Sequence, residues 1–148
     1  MSEGLSKRRL KLWLRLLRTT RGAEAALREH LRLAHGTTLP RFDVMAALHR
    51  ARGPLTMTEL SRLLLVSNGN ATAVVDRLEA DGLVRRAASP ADRRAVQVAL
   101  TPAGVARFAL LAADHEARVD RLFAALGPAE IEAITGALKR LDGQEERA

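Results

Sequence analysis

Apolar residues recur at helical spacing towards both ends of this chain, and alternate with polar ones in one short central stretch. Over residues 5–34, Leu10, Trp13/Leu14, Leu17, Leu27 and Leu31 share a side, with Arg and Lys on the other; this predicts one long helix, ended by His35–Gly36. Pro40 suits the first turn of a second helix, which carries Phe42, Val44, Met45 and Leu48 to about Ala51, before Arg52–Gly53–Pro54 breaks it. Thr56 and Glu59 have capping-box spacing, predicting a third helix of about ten residues buried through Leu60, Leu63 and Leu64. Ser67 is a natural N-cap for a fourth, with Ala71, Val74, Val75 and Leu78 facing inward and Asn68, Asn70, Thr72, Ala73, Asp76 and Arg77 outward. Asp81–Gly82 stops it.

Leu83–Ala87 and Ala95–Leu100 read as strands, the second setting Val96, Val98 and Leu100 against Ala95, Gln97 and Ala99. The polar, Pro-containing loop Ala88–Arg94 between them reads as a solvent-facing hairpin tip. Thr101 and Pro102 then open a long helix with the stripe Val105, Phe108, Ala112, His115, Val119 and Leu122/Phe123, running to about Leu126. Gly127–Pro128 separates it from a last helix with Ile131, Ile134, Leu138 and Leu141.

The expected fold is mainly α with a small two- or three-stranded β wing: a winged helix-turn-helix over 35–101, with dimerisation helices over 1–34 and 102–148 in a single intertwined domain. Long amphipathic helices at both ends of a small chain need a second copy to cover their stripes.

Composition narrows the function. The 148 residues are 47% hydrophobic but only 3% aromatic, so the core must be Leu, Val and Ala. There is no cysteine, which removes disulfides, thiolate zinc sites and thiol redox sensing and fits a cytoplasmic location. No apolar run is long enough to span a bilayer, so a membrane partner is not expected. Net charge is +7, concentrated in residues 1–55, with 12 basic and 4 acidic side chains. Residues 56–100 carry 6 and 5, so placement matters there more than bulk charge.

Duplex readout needs a helix with polar side chains near its N-terminus. Ser67, Asn68, Asn70 and Thr72 occupy that position: Asn can bond adenine bidentately, and Thr can donate, accept or pack on a thymine methyl. Arg77 would reach a phosphate or a guanine. Arg93 and Arg94 at the hairpin tip suit a narrow minor groove, with Asp92 holding the Arg94 guanidinium by a salt bridge. Arg85 and Arg86 at the base of the wing suit phosphates, which give affinity without sequence choice.

The stretch ELSRLLLVSNGNATAVVDRLEADGLVRR, followed by DRRAVQVALTPAG, resembles the MarR (multiple antibiotic resistance regulator) family. The likeness is most specific at Glu59–Leu60–Ser61, Val66–Ser67, Val75–Asp76–Arg77–Leu78–Glu79, Asp81–Gly82–Leu83–Val84, Asp92–Arg93–Arg94 and Leu100–Thr101–Pro102–Ala103–Gly104. The resemblance implies a homodimeric transcriptional regulator, usually a repressor, straddling a palindromic operator in double-stranded DNA, with Arg94 entering the minor groove. It also implies release by a small aromatic acid or phenol bound between the dimer helices and the winged unit. Candidate pocket residues are Trp13, Arg18, Phe42, Asp43, His30, His35 and His115. Trp13 and Asp43 resemble positions of the family's urate-responsive branch, where an Arg follows the Trp by one turn; here that place is Leu17.

The alternative is a winged-helix protein-interaction module, which an acidic wing would favour; this wing is Arg-rich. An enzyme is not expected: there is no Gly-rich phosphate loop, recognisable triad or paired carboxylates. No cofactor and no metal site are expected, because none of the histidines at 30, 35, 49 and 115 pairs with a carboxylate at metal-motif spacing.

Overall fold

The computed structural model of the chain describes residues 3–64 and 71–145. Among the described residues six helices and three short strands follow one another: α1 (Leu5–His35), α2 (Leu39–Ala51), β1 (Leu55–Thr56), α3 (Met57–Leu63), α4 (Ala71–Ala80), β2 (Val84–Ala88), β3 (Val96–Leu100), α5 (Pro102–Leu122) and α6 (Pro128–Glu145).

Helix α2 is the hub. Phe42, Val44, Met45, Ala47 and Leu48 are all buried, so it is apolar on several sides and packs against α1, α3, α4, α5 and β3. Each large side chain among them contributes roughly 1.5–3 kcal/mol on burial. Leu31 of α1, Leu60 of α3, Val75 and Leu78 of α4, Val84 and Val98 of the sheet, and Phe108 and Leu111 of α5 complete this core.

The sheet is antiparallel in the order β1-β3-β2, with Arg86 opposite Val98 and Leu55 on the other side of Val98. The third strand is thus the two-residue β1. Val98 is the only residue of β3 fully buried; Val96 is exposed near the hairpin tip.

Local stops behave as their residues dictate. Gly36 and Gly82 take left-handed φ values of 60° and 75°. At the second, Leu83 N–H reaches the Leu78 carbonyl (2.9 Å) and Gly82 N–H that of Glu79 (3.0 Å), closing α4 so that the chain turns into β2. The Thr56/Glu59 capping box is formed in both directions. Helix α3, however, has seven residues rather than about ten, and Leu64 is already extended. Fewer than two full turns bury Leu60 fully, with Met57 and Leu64 packed partly against the core; Leu63 is half exposed, on a small cavity shared with Glu24, Leu27 and Asp43.

Helix α5 begins in a tight seat. Thr101 accepts from Gly104 N–H through its hydroxyl oxygen (3.0 Å) and donates that hydroxyl to the Gly82 carbonyl (2.6 Å). A Cβ on Gly104 would lie 1.9 Å from the Leu83 carbonyl oxygen, so only glycine fits. The helix ends at Leu122, a turn earlier than the stripe suggested, with Phe123 as its cap.

Much of the apolar stripe towards the chain ends is only partly covered by the described residues. Leu10, Leu12, Trp13 and Leu14 on α1 and Ile131, Ile134, Leu138 and Leu141 on α6 are each at least 40% exposed.

Candidate nucleic-acid interface

Helix α4 buries Ala71, Val75 and Leu78 and leaves Thr72, Ala73, Asp76 and Arg77 in solvent. Two of the expected reading residues, Thr72 and Arg77, therefore lie on its exposed side. Ser67, Asn68 and Asn70 fall outside the described residues. Arg77 is paired one turn along, its Nε 3.3 Å from both oxygens of Asp81, which orients the guanidinium while leaving it exposed.

Arg86 departs from expectation. It does not stand free for a phosphate: its side chain is only 23% exposed, 2.6 Å from Asp76 and 3.1 Å from Glu79. Its backbone N–H also donates to Glu79 (2.9 Å), and its guanidinium reaches the Thr72 carbonyl (3.4 Å). Asp76 and Glu79 lie three residues apart on α4, so one guanidinium grips both and ties α4 to the hairpin. Arg85, one residue earlier in β2, is exposed, beside a groove formed with Leu100 and Val105.

At the wing tip the role of Asp92 is also corrected. Its Oδ1 accepts the backbone N–H of Arg94 (2.9 Å), not the guanidinium. An aspartate two residues before an amide closes an Asx turn, and Ala95 N–H to the Asp92 carbonyl (3.1 Å) tightens it. The carboxylate shapes the loop and leaves the Arg93 and Arg94 side chains in solvent.

A cavity of about 880 Å³ opens between α2 and α5, walled by Phe42, Asp43, Arg50, Phe108, His115 and Phe123. Phe42 stacks on Phe108 (5.6 Å between ring centroids), and His115 packs on Phe42 at 4.3 Å. Burial, reinforced by Glu24, pushes the Asp43 carboxyl up to about 6 against the pull of Arg28 and Arg50. Burial and then His30 lower the His115 imidazole from its ordinary value, against the pull of Asp114. Phe42, Asp43 and His115 are thus together, as expected. Trp13 and Arg18 are not part of this cavity: Trp13 is 57% exposed, and Arg18 belongs to a shallow surface pocket with Lys11 and Arg15. The reason is distance, since Trp13 lies about 25 Å up α1 from His30 at 1.5 Å per residue.

The structure also shows a cluster that spacing along the chain concealed. His30 and His35 both place Nε2 2.5 Å from Oδ2 of Asp114, which lies 84 and 79 residues further on. No histidine pairs with a carboxylate at metal-motif spacing along the chain; the packing of α1 on α5 brings these three together across 84 and 79 residues. Hydrogen bonds from His35 and His30 hold the Asp114 carboxyl below its ordinary value.

An exposed helix face joined by an arginine clamp to an arginine-tipped hairpin defines a winged-helix architecture of the kind that reads DNA. Known proteins extend that assignment. Residues 35–95 match the MarR family profile. The chain is 31% identical over 137 residues to the HTH-type transcriptional regulator MhqR of Bacillus subtilis, covering 93% of each chain. A mutant MarR from E. coli complexed with operator DNA superposes with a TM-score of 0.78 at 26% identity, covering 94% of this chain and 99% of that one. BpsR of Bordetella bronchiseptica, a structure concerned with regulation of DNA binding by 6-hydroxynicotinic acid, gives 0.77 at 27% identity, covering 89% and 98%. The chain belongs to the MarR family of winged-helix transcriptional regulators. No helix among the described residues is long and apolar enough to cross a membrane.

Proposed function

We propose that this chain is a cytoplasmic, non-enzymatic repressor that binds a palindromic DNA operator as a homodimer and lets go when a small aromatic acid fills the α2–α5 cavity. The observation that carries the reading is the Arg86 clamp: it fixes the exposed Thr72/Arg77 edge of α4 relative to a wing whose Arg93 and Arg94 are left in solvent. A helix edge and a hairpin tip held at fixed spacing can reach adjacent major and minor grooves together. Ser67, Asn68, Asn70 and Thr72 read bases, Arg77 and Arg85 take phosphates or guanine, and Arg93 and Arg94 take the minor groove. Residues 35–101 form the reading unit.

Dimerisation is supported by the uncovered stripes of α1 and α6, within 1–34 and 102–148. Two copies place reading helices about one helical turn, ~34 Å, apart on DNA. The effector reading rests on the cavity's chemistry: stacked Phe42 and Phe108 for an aromatic ring, with Arg50 beside them for a carboxylate. Selection from a random duplex pool tests the proposal. It should enrich a two-fold symmetric site; a pool that stays unenriched while binding at low salt would leave only non-specific affinity and overturn it.

A further inference from the structure

His30 and His35 close the last two turns of α1, and Asp114 stands mid-way along α5. The two imidazoles meet edge-on, with ring centroids 5.9 Å apart and planes at 82°, so they approach one point from different directions instead of stacking on each other. One nitrogen from each ring and one oxygen of Asp114 all lie within 4.8 Å of one another. Such convergence exceeds what a single histidine–carboxylate hydrogen bond needs.

We propose that His30, His35 and Asp114 form a binding site for a borderline divalent cation of the Zn²⁺ class. Two imidazole nitrogens and one carboxylate oxygen suit Zn²⁺, Co²⁺ or Ni²⁺; Mg²⁺ and Ca²⁺ prefer oxygen-only sets. Around a tetrahedral ion with bonds of about 2.0–2.2 Å, donors stand roughly 3.3 Å apart. The present 2.5 Å contacts open to that spacing by less than ~1 Å each, within the reach of side-chain rotation about χ1 and χ2.

The electrostatics favour a cation. One carboxylate with two imidazoles in the unprotonated form that a metal requires carries a net charge of −1, and the Arg107 guanidinium on the His35 carbonyl offsets the partial negative charge of the α1 end. Gly36 and Thr37 cap carbonyls of that last turn, and Arg107 donates to the His35 carbonyl (2.7 Å), so the α1 end of the site is already anchored to α5. The His30 and His35 side chains are 20% and 18% exposed and Asp114 is 40% exposed, which leaves room for water as a fourth ligand. This cluster is separate from the α2–α5 cavity, whose walls include His115 but none of the three donors. A bound ion would staple α1 to α5 immediately before the chain enters α2.

The test uses the untagged full chain titrated with Zn²⁺ in a calorimeter and with Co²⁺ in a spectrophotometer. The expected result is one equivalent per chain, visible d–d absorption of low-coordinate Co²⁺, and a melting temperature several degrees higher with Zn²⁺. Asp114→Asn, which keeps the shape and one hydrogen-bond acceptor, should weaken Zn²⁺ binding at least tenfold, as should His30→Gln and His35→Gln; His49→Gln should not. Far-ultraviolet circular dichroism verifies that each variant remains helical, and any one folded ligand variant suffices for the comparison. Failure of the wild type to bind a stoichiometric ion, or folded ligand variants that bind as tightly as the wild type, would overturn the site.

Discussion

Nη2 of Arg86 lies 2.6 Å from Oδ1 of Asp76, across the junction of reading helix and wing. With Glu79 completing the grip, the pair makes the wing's position a consequence of α4 and not of the hairpin alone. Arg86→Met keeps the aliphatic stem and removes the grip. It should lower stability by about 1 kcal/mol or less in urea unfolding, because the bonds are charge-assisted but only the guanidinium is largely covered, the Asp76 and Glu79 carboxylates being screened by water. It should also weaken DNA binding without having touched DNA. A double-mutant cycle with Asp76→Asn should return a coupling of roughly 0.5–1 kcal/mol; a coupling of zero would show the clamp to be idle.

The seat of α5 is the least forgiving backbone position described. Gly104→Ala puts a methyl into the Leu83 carbonyl and should cost about 2–3 kcal/mol or more. Gly22→Ala, mid-α1 with open space around it, should instead stabilise by up to ~1 kcal/mol. Equal melting temperatures for the two variants would contradict the packing at Leu83.

Asp43 makes stability depend on pH in a stated direction. Its folded carboxyl, raised to about 6, binds a proton more readily than the unfolded one at 3.8. The folded state therefore holds more protons between those values, and stability falls as pH rises from about 4 to about 6. Asp43→Asn removes this dependence. Because the side chain is still partly in water, the expected gain at neutral pH is ~1 kcal/mol, less than the full shift would imply. Chemical denaturation of both proteins at acid and neutral pH measures it: the variant's advantage should shrink at the lower pH.

The uncovered α6 stripe predicts oligomeric state. Ile134→Asp with Leu138→Asp should convert a dimer into monomer in light scattering, since each charge would otherwise be buried at the two-fold contact. A wild-type chain that runs as a monomer at micromolar concentration would refute the dimer.

Whatever depends on neighbours along the chain could be read from the sequence. The Thr56/Glu59 box, the Gly36 and Gly82 stops and the Thr101–Pro102 start each follow from one or two turns of local geometry, and each is found in the structure; the strand at Val96–Leu100 is found too, but of the expected inward set Val98 is buried while Val96 is exposed. The long-range pairs were hidden. Arg86 looked like a phosphate ligand because nothing in its own strand shows that Asp76 and Glu79 will face it. His30, His35 and Asp114 meet only through the crossing of α1 and α5. One weak signal for the clamp existed: Asp76 and Glu79 are three apart on the same helix as Thr72, just before an Arg-rich strand. Leu63 erred in the other direction, since helical spacing assigned it a core place that a seven-residue helix cannot supply. The proposal that Ser67, Asn68 and Asn70 read bases rests on the sequence alone.

The central claim is that an exposed arginine at the tip of a clamped wing reads DNA. Its most direct measurement is fluorescence anisotropy of Arg94→Ala on the duplex selected by the wild type, at physiological salt. Among the described residues the exposed Arg94 side chain has no hydrogen bond or ion pair, so melting temperature and dimer mass should stay unchanged while affinity drops about tenfold or more. A folded, dimeric Arg94→Ala that binds the selected duplex as tightly as the wild type would contradict the account.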